Sequence, residues 1–419
     1  MTQAGPVRPE DSRRIVLGIG GGIAAYKVCE VLRRLTEAGH VVRVVPTEVA
    51  LKFVGAPTWE ALSGLPVHHD VFVDVSEVPH VRLGRAADLV VVAPATADLL
   101  ARAAHGRADD LLCATLLTAR CPVLFVPAMH TEMWEHPATQ HNVAMLRARG
   151  TVVVQPASGR LTGADSGTGR LPEPAEIVEL ATLLLHRADA LRHDLTGYHV
   201  LISAGGTREP LDPVRYLGNR SSGRQGYALA RVAAQRGARV TLVGAHTADL
   251  TDPAGVEVLR VSTASQLREV VLKAAAHADA VVMAAAVADF RPAVCYPSKI
   301  KKTGTDPDSL ALAVNPDILV ELVGCRPQGQ VVVGFAAETG DSEADVLTHA
   351  RAKLARKGCD LLVVNAVGDG RAFEVDHNAG WLLGADGTQT ALPDGPKSLL
   401  ATYVWDAVGT RLAKAHMHP

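Results

Sequence analysis

No excess of either charge, no long apolar run and no paired-cysteine motif marks this sequence. Lys+Arg 42 against Asp+Glu 44 gives a formal net charge of −2, so bulk charge calls for neither nucleic acid nor an anionic membrane, and any basic site must be local. The longest apolar runs, such as residues 280–288, stop near strand length, which excludes a transmembrane helix. Six cysteines (29, 113, 121, 295, 325 and 359) lie scattered without a CxxC pair, as expected of reduced thiols in the cytoplasm and not of disulfides or a zinc site. The segment 1–13 lacks an apolar core and carries acids, so it reads as a polar tail, not a signal peptide.

What is present is 48% hydrophobic residues over 419 positions, enough for two cores of ordinary size. From Arg14 a short apolar run, a glycine cluster, a helix with Val28, Val31, Leu32 and Leu35 on one face, and a terminating Gly39 make one βαβ unit. Runs at 88–93, 122–126 and 151–154 alternate with helical segments and predict a parallel sheet covered on both faces. After a helix near 175–185 and the charged stretch 186–197, the pattern restarts at YHVLISAGG. Runs at 239–243, 256–261, 280–285, 330–335 and 360–364 follow, with an edge strand expected at 381–384 and a last helix at 397–412. The expected fold is α/β: two doubly wound, Rossmann-like parallel-sheet domains at 14–190 and 198–419, joined by a linker at 191–197.

The stretch 201–230 leaves a strand through Gly205 and Gly206, which let the backbone turn close to a ligand. Pro210 and Pro213 keep about twenty residues non-helical before a helix opens on Ser221, Ser222, Gly223 and Gly226, with Tyr227, Leu229, Val232 and Ala233 periodic. A loop ending on a helix N-terminus suits a phosphorylated ligand, although glycine-rich βα connections are also common without one.

In the first domain Gly18-Ile-Gly20-Gly21-Gly22-Ile23 approaches a dinucleotide fingerprint, but Ile23 replaces the third glycine, and Pro46-Thr47-Glu48 is no clean ribose-binding end. A mononucleotide turn fits better. The strand ends Pro94-Ala95-Thr96-Ala97-Asp98 and Pro127-Ala128-Met129-His130 fall where open α/β sheets bind ligands. His80 precedes that first strand as a potential base near neutral pH, or as an ordinary capping residue. His130, Glu132 and His136 lack partner cysteines and HExxH spacing, so no metal is assigned.

In GGIAAYK, the HVRLG segment from His80 with APATAD after it, PAMHTEMW and GADSGTGR, the first domain resembles the flavin-dependent cysteine decarboxylases. With the second domain, nearly the whole chain resembles the bifunctional phosphopantothenoylcysteine decarboxylase/phosphopantothenate–cysteine ligases of coenzyme A biosynthesis. The resemblance implies FMN against Gly20, Gly21, Gly22, Ile23, Thr47, Pro94, Ala95, Thr96 and Asp98, with His80 as the active-site histidine. Flavin is needed because a carboxylate beside an amide has no electron sink until the cysteinyl thiol is oxidised. Two departures stand out: His130 replaces the Asn that follows PAM in the family, and Gly163 replaces the flap cysteine, leaving Asp165 as an alternative acid. Gly20, often Ser in the family, leaves the phosphate to backbone N–H groups.

In the second domain, Asp289 closes the small-residue strand end AAAVADF, where it suits a ribose, a base amine, a metal or simply a cap. Lys299, Lys301 and Lys302 follow in a charge run of the kind that is usually solvated. Lys353 and Lys357 repel at helical spacing unless an anion lies on that face. There is no Walker sequence. The resemblance implies CTP-contacting positions at Asp289, Lys299, Asn315, Pro316, Asp317, Ile318, Phe335, Lys353 and Lys357, with Asn219 and Arg215 tied to an acyl-cytidylate. Activation of that kind relies on positioning and charge neutralisation by lysines and Mg²⁺.

The implied activity joins cysteine to 4′-phosphopantothenate with CTP, then decarboxylates the product to 4′-phosphopantetheine with FMN. Small-molecule substrates, a cytoplasmic location and a homo-oligomer with trimeric flavin domains and dimeric ligase domains go with it. The residues also leave open a nicotinamide oxidoreductase on the first glycine turn and a flavin-binding regulatory protein without catalysis.

Overall fold

The computed structural model describes residues 12–70, 78–161, 165–301, 309–338, 346–366 and 377–417. The chain divides into two units, Met1–His193 and Asp194–Pro419.

The first unit runs β1 (Arg14–Ile19), α1 (Ala25–Glu37), β2 (Val41–Pro46), α2 (Ala56–Ser63), α3 (Pro79–Ala86), β3 (Leu89–Ala95), α4 (Ala97–Ala104) and α5 (Leu111–Thr118). It continues with β4 (Val123–Pro127), α6 (Thr131–Glu135), α7 (Pro137–Ala148), β5 (Val152–Val153), the hairpin β6 (Ala157–Arg160) and β7 (Ser166–Arg170), and α8 (Pro174–His186). Its sheet is wholly parallel in the order β2-β1-β3-β4-β5. Every residue of β3 is buried, as in a central strand with helices on both faces. Val28, Val31, Leu32 and Leu35 of α1 are buried as their spacing requires. The strand expected at 151–154 shrinks to the two residues of β5, at the sheet edge.

The second unit runs β8 (His199–Gly205), β9 (Arg208–Pro210), β10 (Tyr216–Gly218), α9 (Arg224–Gln235), β11 (Arg239–Ala245), β12 (Val256–Val261), α10 (Ala264–Ala275) and β13 (Ala280–Met283). Then come β14 (Phe290–Pro292), β15 (Leu312–Val314), α11 (Ile318–Cys325), β16 (Val331–Glu338), α12 (Val346–Lys357), β17 (Leu361–Ala366), β18 (His377–Gly384), β19 (Gln389–Pro396) and α13 (Lys397–Met417). The sheet order is β12-β11-β8-β13-β16-β17-β18-β19. Its first six strands are parallel, in the order three-two-one-four-five-six of the dinucleotide-type doubly wound fold.

Three sequence expectations change in this unit. The strand at 381–384 is not an edge: β18 lies between β17 and β19, antiparallel to both. The true edge, β19, carries Pro393 and Pro396 and no alternation, a composition that only an edge strand tolerates. The interval before α9 is not all loop, because β9 and β10 pair inside it. Part of the expected linker is also packed: Leu195 is buried and its N–H donates to the Arg236 carbonyl at 3.0 Å. The fully buried Arg236 guanidinium pairs with Asp194 and Asp406, both at 2.7 Å, so its charge is matched on two sides. Among the described residues no helix is long and apolar enough to cross a membrane.

Candidate functional sites

An open parallel sheet binds ligands at the carboxyl edge where strand order reverses. In the first unit this point lies between β1 and β3. There the Gly20 N–H donates to the Pro94 carbonyl at 3.1 Å, and a Cβ on Gly20 would stand 2.2 Å from that oxygen. Gly21 is also crowded, its absent Cβ 2.5 Å from Val49 Cγ1. Gly22 faces Pro94 and Thr96 at ordinary contact distance. Thr47 is buried; its N–H donates to the Ile19 carbonyl at 2.9 Å and its hydroxyl accepts from Ala50 N–H at 3.2 Å. Thr96 caps α4, its hydroxyl accepting from Leu99 N–H at 3.2 Å. Thus Gly20, Gly21, Gly22, Thr47, Pro94 and Thr96 form one backbone cradle. Asp98 points away to an ion pair with Arg102 at 3.0 Å, and Ile23 is 69% exposed.

The rim continues through β4 onto the hairpin. Ala128 N–H donates to the Ala95 carbonyl at 3.1 Å, and Met129 N–H to the Gly169 carbonyl at 2.9 Å. Gly169 (φ +151°) and Gly167 press on this turn: a Cβ on either would lie 2.2 Å from Met129 O or Thr131 Oγ1. His130 follows, exposed at the N-cap of α6 with its ring making no cap bond. The base of the hairpin is anchored by Arg170 on Glu173, which Lys27 of α1 also approaches at 3.8 Å. Asp165 is exposed, and its carbonyl accepts from Leu161 N–H at 2.8 Å. Gly163 lies outside the described residues.

His80 is held separately, by α5. Thr118 Oγ1 donates to the His80 carbonyl at 2.7 Å. Gly84, one turn on, lets α3 approach: its absent Cβ would be 2.2 Å from Thr118 Oγ1. The imidazole Nδ1 is buried without a hydrogen-bond partner among the described residues. Thr118 was missed by sequence reasoning; a glycine inside a short helix was the only local signal.

The charged groups nearby are internally compensated. Among the described residues the three-ligand group that could hold a metal is Asp109, Asp110 and Cys113. Arg102 already pairs with both carboxylates, at 3.0 and 2.7 Å, and burial pushes the Cys113 thiol up to about 12. His130, Glu132 and His136 do not converge; His136 Nδ1 instead accepts from Ala138 N–H at 3.1 Å.

In the second unit the reversal lies between β8 and β13. Ala286 N–H donates to the Gly205 carbonyl at 2.8 Å and Thr207 N–H to the Ala286 carbonyl at 3.2 Å. Thr207 Oγ1 accepts from Ala288 N–H at 3.0 Å, and Asn219 Nδ2 donates to the Val287 carbonyl at 2.9 Å. The glycine turn and the AAAVAD turn are therefore one structure. Gly223 (φ +77°) opens α9, and a Cβ on Gly226 would lie 2.4 Å from Ala204 Cβ. Asp289 is exposed, its carbonyl accepting from Asn315 N–H at 2.8 Å. Asn315 is buried with its side chain committed to the Ala288 carbonyl (2.8 Å) and Arg291 (3.0 Å).

The lysine face differs from the sequence expectation. Lys357 pairs with Asp317, which also caps α11 by accepting from Val320 N–H at 3.2 Å, so the protein itself supplies the anion at that position. Burial pushes Asp317 up, but Lys357 and the helix amides outweigh it and hold the carboxyl below its ordinary value. The Ile318 side chain lies in the core, leaving only its backbone for a ligand. Phe335 is half-buried in β16 and Pro316 is exposed. Lys353 is half-buried on α12, whereas Lys299 is exposed and makes no ion pair among the described residues. Lys302 lies outside them. Arg215 pairs with the buried Asp212, and its guanidinium holds that carboxyl far below the carboxylate range.

Comparison with known proteins follows the same division. Residues 5–186 match the Flavoprotein family model, and residues 195–412 match the DNA/pantothenate metabolism flavoprotein C-terminal domain. The coenzyme A biosynthesis bifunctional protein CoaBC of Mycolicibacterium smegmatis is 67% identical over 96% of this chain and 98% of its own. The Escherichia coli K12 protein of the same name is 41% identical over 95% and 97%. Among solved structures, the C-terminal domain of a CoaBC protein covers 53% of this chain and 99% of its own at 32% identity and a TM-score of 0.45.

Proposed function

The chain belongs to the CoaBC family of bifunctional coenzyme A biosynthesis enzymes, a flavoprotein decarboxylase joined to a ligase, and on that premise we propose how its two units divide the chemistry. The second unit condenses 4′-phosphopantothenate with cysteine through an acyl-cytidylate formed from CTP. The first unit decarboxylates the product to 4′-phosphopantetheine with FMN. The observation that carries the division is that each unit has its own sheet and its own strand-order reversal lined by a glycine turn.

In the first unit the donor set fits FMN. Gly20 and Gly21 leave no room for a Cβ, the Gly20 and Gly22 N–H groups go to the Pro94 and Gly20 carbonyls, and the Gly21 and Ile23 N–H groups of the same turn are the ones that would meet a phosphate, while the buried His80 Nδ1 has no partner among the described residues. FMN supplies a two-electron oxidant for the cysteinyl thiol, which creates the electron sink that decarboxylation lacks. Gly20, Gly21, Gly22, Thr47, Pro94, Ala95 and Thr96 would hold FMN, and His80 would move the proton. His130 replaces the family's amide as a donor to the substrate, and Asp165, on the hairpin beside the Gly163 position, is the acid of the reductive half-reaction. Ile23 and Tyr26, 69% and 60% exposed beside the cradle, would be covered in a homo-oligomer; trimers of flavin units and dimers of ligase units are the assembly that the family resemblance implies.

In the second unit Lys299 and Lys353 neutralise the triphosphate, and Mg²⁺ enters with it. Lys357 keeps Asp317 in place, so that the α11 N-terminus and Asn315 define the nucleotide end of the crevice. The exposed Asp289 carboxylate, which has no hydrogen-bond or ion-pair partner among the described residues, would take the ribose or base. Asn219 and Arg215 face the reacting acyl group, and no side-chain nucleophile is required. A cytoplasmic location suits both activities and the six free thiols.

Incubation of the full-length protein with phosphopantothenate, cysteine, CTP and Mg²⁺, with products identified by mass, tests this assignment. The expected products are 4′-phosphopantetheine at the thiol level, CMP, pyrophosphate and CO₂. No CTP-dependent change in mass overturns the ligase half, and a product two hydrogens short of the thiol overturns Asp165 as the completing acid.

A further inference from the structure

The segment carrying Lys299 is hung from the turn between β9 and β10. Asp212, in the turn between β9 and β10, is buried. One of its oxygens accepts from the N–H groups of Val214 and Arg215, both at 2.8 Å. The other accepts from Arg215 Nε at 2.9 Å, Arg215 Nη2 at 2.5 Å and Ile300 N–H at 3.2 Å. Arg215 Nη2 also donates to the Ile300 carbonyl at 2.9 Å. Ile300 is therefore gripped at both backbone groups, one by the carboxylate and one by the guanidinium it holds. A further tie, Tyr296 N–H to the Leu211 carbonyl at 2.9 Å, fixes the other end of the segment.

A turn of this kind needs no buried ionised carboxylate. Asn or Ser would cap it through the two local N–H groups alone. The additional bonds all run to Arg215 and to a residue 88 positions away. A long lysine side chain fixed at its backbone loses less freedom on meeting a phosphate, so the ordering is done before the nucleotide arrives.

We propose that Asp212 is a positioning residue of the ligase reaction, which through one carboxylate fixes Arg215 toward the acyl end and the Ile300 backbone, and with it Lys299, toward the triphosphate end. The inference rests on the assignment of Lys299 to CTP given above.

A double-mutant cycle in the full-length enzyme tests it, read as CTP-dependent pyrophosphate release during turnover with phosphopantothenate and cysteine. Asp212→Asn lowers kcat/KM for CTP about tenfold in the wild-type background and less than about twofold in a Lys299→Gln background, because coupled residues are not additive. Equal fold-losses in both backgrounds, or none in either, overturn the proposal. If Lys299→Gln alone leaves pyrophosphate release at the wild-type rate, the Lys299 assignment falls and this positioning role with it. That result is recognised from the single variant. Decarboxylation of added phosphopantothenoylcysteine by the same preparations reports an intact first unit. Should Asp212→Asn unfold the second unit, Arg215→Lys decides. It keeps the carboxylate but removes the planar fork, and its loss in kcat/KM for CTP shrinks in the Lys299→Gln background if the clasp acts through Lys299 and persists there if it does not.

Discussion

His80 is fixed through its backbone and left with its ring unengaged. Thr118 holds the carbonyl at 2.7 Å, while the buried Nδ1 has no partner among the described residues. A buried donor or acceptor left unmade costs about 1–3 kcal/mol, so packing alone does not favour a histidine here over an apolar residue. The expected consequence is that His80→Asn lowers CO₂ release from phosphopantothenoylcysteine by about 10²-fold or more, the usual contribution of a positioned acid or base. The first unit's melting transition stays in place. A lowered transition with CO₂ release intact in the remaining folded fraction would mean that the residue is structural.

Between elements, small residues decide how closely helices approach the sheets that carry the sites. Gly226 sets α9 against β8: its absent Cβ would be 2.4 Å from Ala204 Cβ, 3.0 Å from Ala204 Cα and 3.1 Å from Ser203 O. Gly226→Ala gains about 1 kcal/mol of helix propensity. It loses about 1–3 kcal/mol to overpacking, at the upper end here because strand backbone cannot move aside. The second unit is then destabilised by about 1–2 kcal/mol in urea unfolding, and ligation weakens as the Ser221–Gly223 turn shifts with the helix. Unchanged stability would show that α9 can lift without loss. The periodic elements were legible in the sequence: α1 and α9 bury the residues their spacing marked, and the first sheet and the six parallel strands of the second follow from the alternation of apolar runs and helices. The glycine turns were legible too. Sequence spacing could not show that Lys357 meets Asp317 across 40 positions, or that Asp212, in an ordinary-looking turn, reaches Ile300. Nor could it show β19, whose prolines argue against a strand until its edge position is known. Site rims are made of such long-range contacts, whereas helices declare themselves within one turn.

At the scale of the whole molecule, each unit has its own core, its own sheet and its own strand-order reversal, and in the division proposed above the product of one is the substrate of the other. Two sites on separate cores fail independently, since substitutions with no shared partner act additively. Full-length His80→Asn, given phosphopantothenate, cysteine, CTP and Mg²⁺, therefore accumulates 4′-phosphopantothenoylcysteine at the wild-type ligation rate. Full-length Lys299→Gln forms little of that intermediate but decarboxylates it normally when it is supplied. Mass spectrometry of the two time courses distinguishes the cases: a chain in which either substitution removes both activities would have one shared site, and the division into two chemistries would be lost.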